Sequence, residues 1–331
     1  MINAAVIGLG WWGREIIRRL GEGSDRFNFI RAVDITDDAK TFAAENDIPI
    51  TQDYNKVLSD KKVDAVILAT PHSKHEAQII LAAQAGKHVF CEKPLALTAK
   101  GASRAIEACN QAGVQLSLGH EFRFDPALRE IKRMADDGDL GTILHVESNF
   151  SHDLLGNLAE GNWRRSGNEA PAAGMTSMGI HLTDAYINMF GRVFDVFSQT
   201  AKIATDNEGG DIISVLARFD SGMTGYINCV MTTPLFIRFR VFGTEAWAEA
   251  HYTVRPEVAG AIQMTKCVKQ DWQVETWELQ SGNAVVDNLN AFADAVEGSG
   301  DNPFTDEEKL HNIEVFEAIC RSAQAGGPVR L

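Results

Sequence analysis

The stretch Asn3-Ala4-Ala5-Val6-Ile7-Gly8-Leu9-Gly10-Trp11-Trp12-Gly13 decides the fold. A short apolar run suited to a strand ends in glycine, and helical spacing begins directly after it with Arg14–Leu20. A G-x-G-x-x-G between strand and helix has three physical uses. Gly8 permits a tight turn, Gly10 lets a pyrophosphate approach the backbone, and Gly13 permits close packing of helix on strand. The first N–H groups of the helix and its positive dipole end then face the phosphates. The whole turn, with Leu9, Trp11 and Trp12, is the expected dinucleotide cradle. Without a ligand it would be only a tight strand-to-helix connection. Asp34 bears on that choice, because it lies about 20 residues beyond Gly13 at the end of the next strand candidate, Phe29–Asp34. A carboxylate there binds the two ribose hydroxyls; alternatively, Asp34 only caps the following helix. It would repel a 2′-phosphate and no arginine follows directly, so NAD is expected over NADP.

Working outward, strand-like runs keep alternating with amphipathic stretches as far as residue 120. Val63–Thr70 is a nearly unbroken apolar run, which suits a strand buried on both faces. His75–Ala85 is a helix stopped at Gly86, His88–Cys91 a strand, Thr98–Ala112 a helix stopped at Gly113, and Val114–Leu118 a strand. Such alternation predicts a parallel sheet covered on both faces. Beyond His120 and a helix at Pro126–Asp136, strands occur without helices between them. The candidates are Ile143–Phe150, Ile212–Phe219, Gly222–Met231, Ile237–Phe242, Ala246–Tyr252, Ile262–Lys269 and Gln273–Leu279. Helices are expected near Met175–Phe190, Asn283–Glu297 and Glu307–Ala325. The fold class is therefore α/β: an N-terminal Rossmann domain over 1–120 and a C-terminal α+β domain over 121–331. The second domain has a large, mostly antiparallel open sheet and is expected to bind substrate and carry oligomerisation.

Composition excludes other classes. A chain of 331 residues that is 45% hydrophobic has enough apolar surface for two cores. Its net charge of −14 disfavours nucleic acid and anionic membrane surfaces. No apolar run approaches the length of a membrane span, and Ala4–Leu9 is broken too soon for a signal peptide. The five cysteines (91, 109, 229, 267 and 320) form no C-x-x-C pair, which points to reduced thiols and a cytoplasmic location. Histidines 88, 145, 152, 251 and 311 show no metal-ligand spacing, so no metal is expected.

Glu92-Lys93-Pro94 follows a parallel strand at its C-terminal end, the edge where open α/β sheets bind ligands. Pro94 biases Lys93 towards an extended conformation, and a lysine there can stabilise a substrate oxygen during hydride transfer. From position alone Lys93 is equally an ordinary surface lysine. Several further motifs occur in order: Ala69-Thr70-Pro71-His72-Ser73-Lys74-His75, Gly86–Pro94, His120-x-x-Arg123-Phe124-Asp125-Pro126, Trp163-Arg164 and Gly174–Asp184. With the glycine turn, their order and spacing resemble the glucose–fructose oxidoreductase, inositol dehydrogenase and rhizopine-catabolism (Gfo/Idh/MocA) family over essentially the whole chain.

The resemblance implies an NAD(P)-dependent oxidoreductase acting on one hydroxyl or carbonyl of a sugar, cyclitol or related diol. It implies that Thr70, Pro71, His72 and His75 lie beside the cofactor with Glu92, Lys93 and Arg164. His72 stands where the family usually has asparagine. The resemblance makes Lys93 the catalytic lysine, His181 of Gly179-Ile180-His181-Leu182-Thr183-Asp184 the general acid/base, and His120 and Arg123 lining residues of the substrate pocket. His181 and Asp184 also share a helix face at a spacing of three, so a carboxylate is available there to orient an imidazole suited to proton exchange at neutral pH. From spacing alone His181 is equally a core histidine held by a backbone carbonyl. Ser177 departs from the resemblance, because many relatives have aspartate four residues before this histidine. A neutral serine in the substrate site leaves substrate and direction open.

Hydride transfer between nicotinamide and a carbinol carbon of a small polyhydroxylated substrate is the expected activity. One alternative is an NAD-dependent glycoside hydrolase or lyase acting by transient oxidation. Another is a non-catalytic ligand-sensing regulator of the same fold, against which the retention of Lys93 and His181 argues. Apolar residues on both faces of Gly222–Met231 suggest that an open sheet face is buried in a homodimer or homotetramer.

Overall fold

A computed structural model describes residues 1–270 and 272–331 of the chain. It divides into two compact units, Met1–His120 with Val285–Leu310 and Glu121–Ala284 with His311–Leu331. A sequential division into 1–120 and 121–331 therefore does not describe the packing, because residues 285–310 belong to the first unit.

The first unit runs β1 (Ile2–Ile7), α1 (Trp11–Gly23), β2 (Phe27–Val33), α2 (Asp37–Glu45), β3 (Ile50–Thr51), α3 (Tyr54–Leu58), β4 (Ala65–Leu68), α4 (His75–Gln84), β5 (His88–Cys91), α5 (Ala99–Ala112) and β6 (Leu116–Leu118). The sheet is parallel, in the order β3-β2-β1-β4-β5-β6. Its order reverses at β1, so the connections leave for opposite edges and a crevice opens at the C-terminal ends of the central strands. Every residue of β4 is buried, as its uninterrupted apolar sequence requires. Helix ends follow local chemistry. Thr98 accepts from the Gly101 N–H to start α5, and Gly113 ends it in the left-handed conformation. The reason residues 285–310 return lies in the core: Val285, Val286, Leu289 and Phe292 are buried with Val6, Ile16, Leu20 and Phe42.

The second unit contains α6 (Pro126–Asp136), β7 (Ile143–Ser151), α7 (Gly179–Phe190), β8 (Val193–Ala201), β9 (Ile212–Phe219), β10 (Thr224–Val230), β11 (Phe236–Gly243), β12 (Ala246–Tyr252), β13 (Ala261–Val268) and β14 (Val274–Gln280). Helix α8 (Ala284–Glu297) passes into the first unit, α9 (Asp306–Ala325) returns from it, and β15 (Val329–Arg330) ends the chain. The sheet order is β14-β13-β12-β11-β7-β10-β9-β8-β15, antiparallel except where β10 runs beside β7. Period-two alternation gives it two unlike faces. Val146, Phe150, Ile227, Ile237, Phe239 and Val241 are buried. On the other face Arg238 pairs with Glu147, Arg240 pairs with Glu249, and Leu216 is 53% exposed. Tyr186 of α7 is buried against the covered face, its hydroxyl donating to the Tyr226 carbonyl at 2.8 Å.

Helix α9 is fastened to β8 through polar groups as well as packing. His311 Nε2 accepts from the Val193 N–H at 2.9 Å, and its Nδ1 lies 2.9 Å from Glu314. Accepting at Nε2 requires a neutral ring with its proton on Nδ1. Burial, opposed by the Glu314 carboxylate, holds His311 below the ordinary imidazole value of 6.5. Its contribution to stability is therefore whole above about pH 6.5 and is lost as pH falls through the lower folded value. The thermal midpoint should fall between about pH 7 and about pH 5, with a shallower slope in His311→Gln. Equal slopes in melting curves of the two proteins would contradict this assignment.

Candidate active site

Pairing within the parallel sheet brings three loops of the first unit together. Gly8 N–H donates to the Val33 carbonyl at 2.8 Å on one side, and Ala69 N–H donates to the Ile7 carbonyl at 2.8 Å on the other. The turn after β1, Asp34 after β2 and Thr70 after β4 are thus neighbours. The three glycines differ as their expected roles require. Gly8 has φ +96°, and a Cβ on it would lie 2.6 Å from the Ala69 carbonyl oxygen. A Cβ on Gly13 would lie 2.0 Å from the Gly8 carbonyl oxygen, so helix and turn touch through backbone alone. A Cβ on Gly10 would meet nothing within 4 Å. Gly10 is the N-cap of α1, with no side-chain cap and no acidic residue in the first turn. Open space at a glycine beside an uncapped helix N-terminus fits a pyrophosphate, which the N–H groups and dipole end at Trp11 and Trp12 would bind.

Asp34 is oriented by its neighbours. Its Oδ2 accepts from Leu9 N–H at 2.7 Å, and its Oδ1 accepts from the Thr36 N–H and hydroxyl, each at 2.9 Å. The N-cap of α2 is Thr36, so the alternative of Asp34 as that cap falls away. Arg14 lies beside this end of the turn, but its Nε donates to the Leu9 carbonyl at 2.8 Å and its guanidinium pairs with Asp38.

The loops after β4 and β5 are joined by His75. Its Nδ1 is 2.7 Å from the Pro94 carbonyl oxygen and its Nε2 is 3.0 Å from that of Thr70. Carbonyl oxygens only accept, so the ring donates to both when both nitrogens carry protons. The side chain has no accessible surface. His75 is thus a strut holding the lysine loop to the threonine loop. Thr70 Oγ1 donates to Gln78 at 2.5 Å, Pro71 precedes a short 3₁₀ turn, and buried His72 stands edge-on to His75 at 5.9 Å. The Glu92 carboxylate lies against Gly119, where a Cβ would come within 2.5 Å of it, and Lys93 is half-buried. His120, fully buried, closes this stretch with its ring 6.1 Å from Phe304.

In the second unit, α7 presents His181 beside a 3₁₀ turn at Glu121–Phe124. Arg123 Nε and Nη2 each donate to Asp184 at 2.8 Å, with the side chains 4% and 2% exposed. Asp184, so engaged, is not the carboxylate that orients His181. Glu121 lies beside the ring, its Oε2 3.7 Å from His181 Nδ1. Spacing along a helix could not reveal Glu121, which approaches from another element 60 residues earlier. Its only signal in sequence is a carboxylate within the same His120–Arg123 motif. Half-buried Ser177 lies just before α7, after Ala172 and Ala173, whose φ values of +57° and +49° are left-handed without glycine. Such backbone costs about 1–2 kcal/mol per residue and clusters at functional sites. Arg164 lies in a separate 3₁₀ turn with its guanidinium 4.1 Å from the centre of the Trp163 ring. Among the described residues, no group of three His, Cys, Asp or Glu is placed to hold a metal, and no helix is long and apolar enough to cross a membrane.

Residues 2–120 match the family described as "Oxidoreductase family, NAD-binding Rossmann fold", and residues 128–249 match the GFO/IDH/MocA C-terminal domain. The chain is 27% identical to D-xylose 1-dehydrogenase (NADP(+)) 2 of Haloferax volcanii over 91% of each protein. It is 30% identical to scyllo-inositol 2-dehydrogenase (NAD(+)) of Bacillus subtilis, over 85% of this chain and 81% of that one. The solved aldose-aldose oxidoreductase of Caulobacter crescentus superposes with a TM-score of 0.87 at 25% identity, over 100% of this chain and 99% of that one.

The contrast between the glycines gives a direct test. Gly10→Ala should leave the thermal midpoint unchanged while weakening NADH binding at least about tenfold, because its Cβ enters only the space left for phosphate. Gly13→Ala should lower both stability and binding. Titration of NADH fluorescence and a melting curve on each variant separate the two cases.

Proposed function

The chain belongs to the Gfo/Idh/MocA family of NAD-binding oxidoreductases, and on that premise we propose that it transfers hydride between a nicotinamide dinucleotide and a hydroxyl or carbonyl carbon of a sugar, cyclitol or related diol. The observation that carries this reading is the likeness, over most of the chain, to dehydrogenases named for D-xylose and scyllo-inositol. Relatives named as 2,7-anhydro-N-acetylneuraminate hydratase, which would support the lyase alternative, match only 44% and 58% of this chain, less than the dehydrogenases do. The turn Gly8–Gly13 would hold the pyrophosphate and Asp34 the ribose hydroxyls, with Thr70, Pro71, His72, Glu92 and Arg164 as further contacts. When bound, the nicotinamide supplies the hydride acceptor or donor. Lys93 orients the substrate oxygen and stabilises negative charge on it. His181 exchanges the hydroxyl proton. His120 and Ser177 contribute to substrate binding. Absorbance at the nicotinamide band, followed with a panel of aldoses and cyclitols, tests the reading. Lys93→Ala and His181→Ala should each reduce turnover by about 100-fold or more. Full turnover in both variants would refute these roles.

We propose NAD as the preferred dinucleotide. Asp34 would face a 2′-phosphate with like charge, Asp37 and Asp38 follow it closely, and the nearby Arg14 is already paired with Asp38. Like-charge apposition costs several kcal/mol, so Asp34→Ala should narrow the preference for NAD by about 10- to 100-fold in kcat/KM. An unsubstituted protein that prefers NADP would overturn the assignment.

We propose that the protein works in the cytoplasm, where its five free cysteines remain reduced. We also propose that the uncovered sheet face of the second unit joins copies in a homodimer or homotetramer. Leu216, Phe236 at 40% exposure and the Arg240 guanidinium over Trp247 at 5.3 Å give that face apolar and cation–π groups together. Leu216→Glu should shift the sedimentation coefficient towards the monomer. A monomeric unsubstituted protein would reject the interface.

A further inference from the structure

We propose that Glu121 is the positioning carboxylate of His181, stabilising the protonated imidazole through Nδ1 and leaving Nε2 to exchange the substrate proton. This rests on the assignment of His181 as acid/base. Three consecutive residues of one 3₁₀ turn grip α7 in register. Glu121 Oε2 stands 3.7 Å from Nδ1, Phe122 stacks on the imidazole at 5.0 Å and 24°, and Arg123 holds Asp184 one turn further along. Phe150 backs Phe122 in turn at 5.4 Å and 21°. The stack fixes the plane of the ring, and the carboxylate lies within ion-pair distance of Nδ1. His181 and Glu121 have side-chain exposures of 4% and 11%, which places the pair where water screens little.

Several other groups of the second unit do not take this role. Asp184 is neutralised by Arg123, and Ser177 has no charge. Asp125 accepts from the Ala127 and Leu128 N–H groups and from the Tyr252 hydroxyl, while burial pushes its carboxyl up. Cys229 of β10 lies against the start of α7, and burial pushes its thiol to about 12, so it stays neutral. Tyr186 is held up in the same way and also stays neutral. In the oxidative direction the substrate O–H bond breaks, its electron pair stays on oxygen, and the proton forms N–H at Nε2. The new cation then lies beside the Glu121 anion. Reduction returns the same proton. Glu121 thus supplies, from a different element, the carboxylate that Ser177 does not.

The test is a histidine titration by NMR on the full-length protein, with His181 assigned from His181→Asn. Glu121→Gln should lower the His181 midpoint by about one pH unit, and Glu121→Asp should retain most of it. With a substrate from the sugar and cyclitol panel, the acid limb of kcat/KM should move down by the same interval in Glu121→Gln, and kcat should fall more than KM changes. An unchanged midpoint in folded Glu121→Gln overturns the proposal. Should that variant not fold, the carboxyl carbon signal of Glu121 in the unsubstituted protein decides. It must show an inflection at the His181 midpoint, and its absence is equally fatal. Turnover surviving in His181→Asn would instead refute the assignment of His181 itself, a result distinguishable from the failure of the coupling.

Discussion

The buried pair of Arg123 and Asp184 sets the chemistry of the second unit. Two charge-assisted hydrogen bonds of 2.8 Å between side chains almost without exposure form one of the few interactions here whose loss would matter on its own. Removing one partner of such a pair costs about 3–5 kcal/mol, because the other charge stays buried and uncompensated. An exposed pair such as Lys132 with Asp136 is worth about 0–1 kcal/mol. The clamp therefore holds the 3₁₀ turn at Glu121–Phe124 on α7, and everything the turn presents to His181 follows from it. It also removes Asp184 from the chemistry, although helix spacing alone would assign that residue to the imidazole.

In the first unit the controlling constraint is steric rather than electrostatic. Gly13 and Gly8 touch through backbone, and this contact brings the end of α1 down onto the sheet. The helix N-terminus has no side-chain cap and is a local positive site on a chain of net charge −14. Binding an anionic dinucleotide to an acidic protein is consistent once the field is read at the turn rather than over the whole surface. The same locality governs Asp34. Its carboxylate is oriented by three donors from the turn and from Thr36, so its position is built by backbone geometry rather than by a neighbouring cation.

What was legible in sequence depended on the range of the interaction. The parallel sheet could be read from apolar runs separated by glycine-stopped helices, and the glycine turn could be read from its own spacing. The antiparallel strands from β9 to β14 could be read because period two persists along them. Strand β8 could not, since a register irregularity between Val193 and Asp195 breaks the alternation at its start. Short β3 and α3 lack the length for a periodic signal. At the site, the partners of Arg123, Asp184, His75 and Glu121 could not be read from sequence. Each pairs with a residue many positions away, or with a backbone carbonyl that carries no side-chain identity.

The return of residues 285–310 to the first unit has a consequence for how the protein is made. Val285, Leu289 and Phe292 belong to the same core as Val6 and Ile16, yet they are synthesised after nearly all of the second unit. The dinucleotide-binding sheet therefore emerges from the ribosome with one side of its core still bare. It cannot close until residues 285–293 have been made. A nascent chain in that condition exposes an apolar face for most of its synthesis, the kind of surface on which chaperones act.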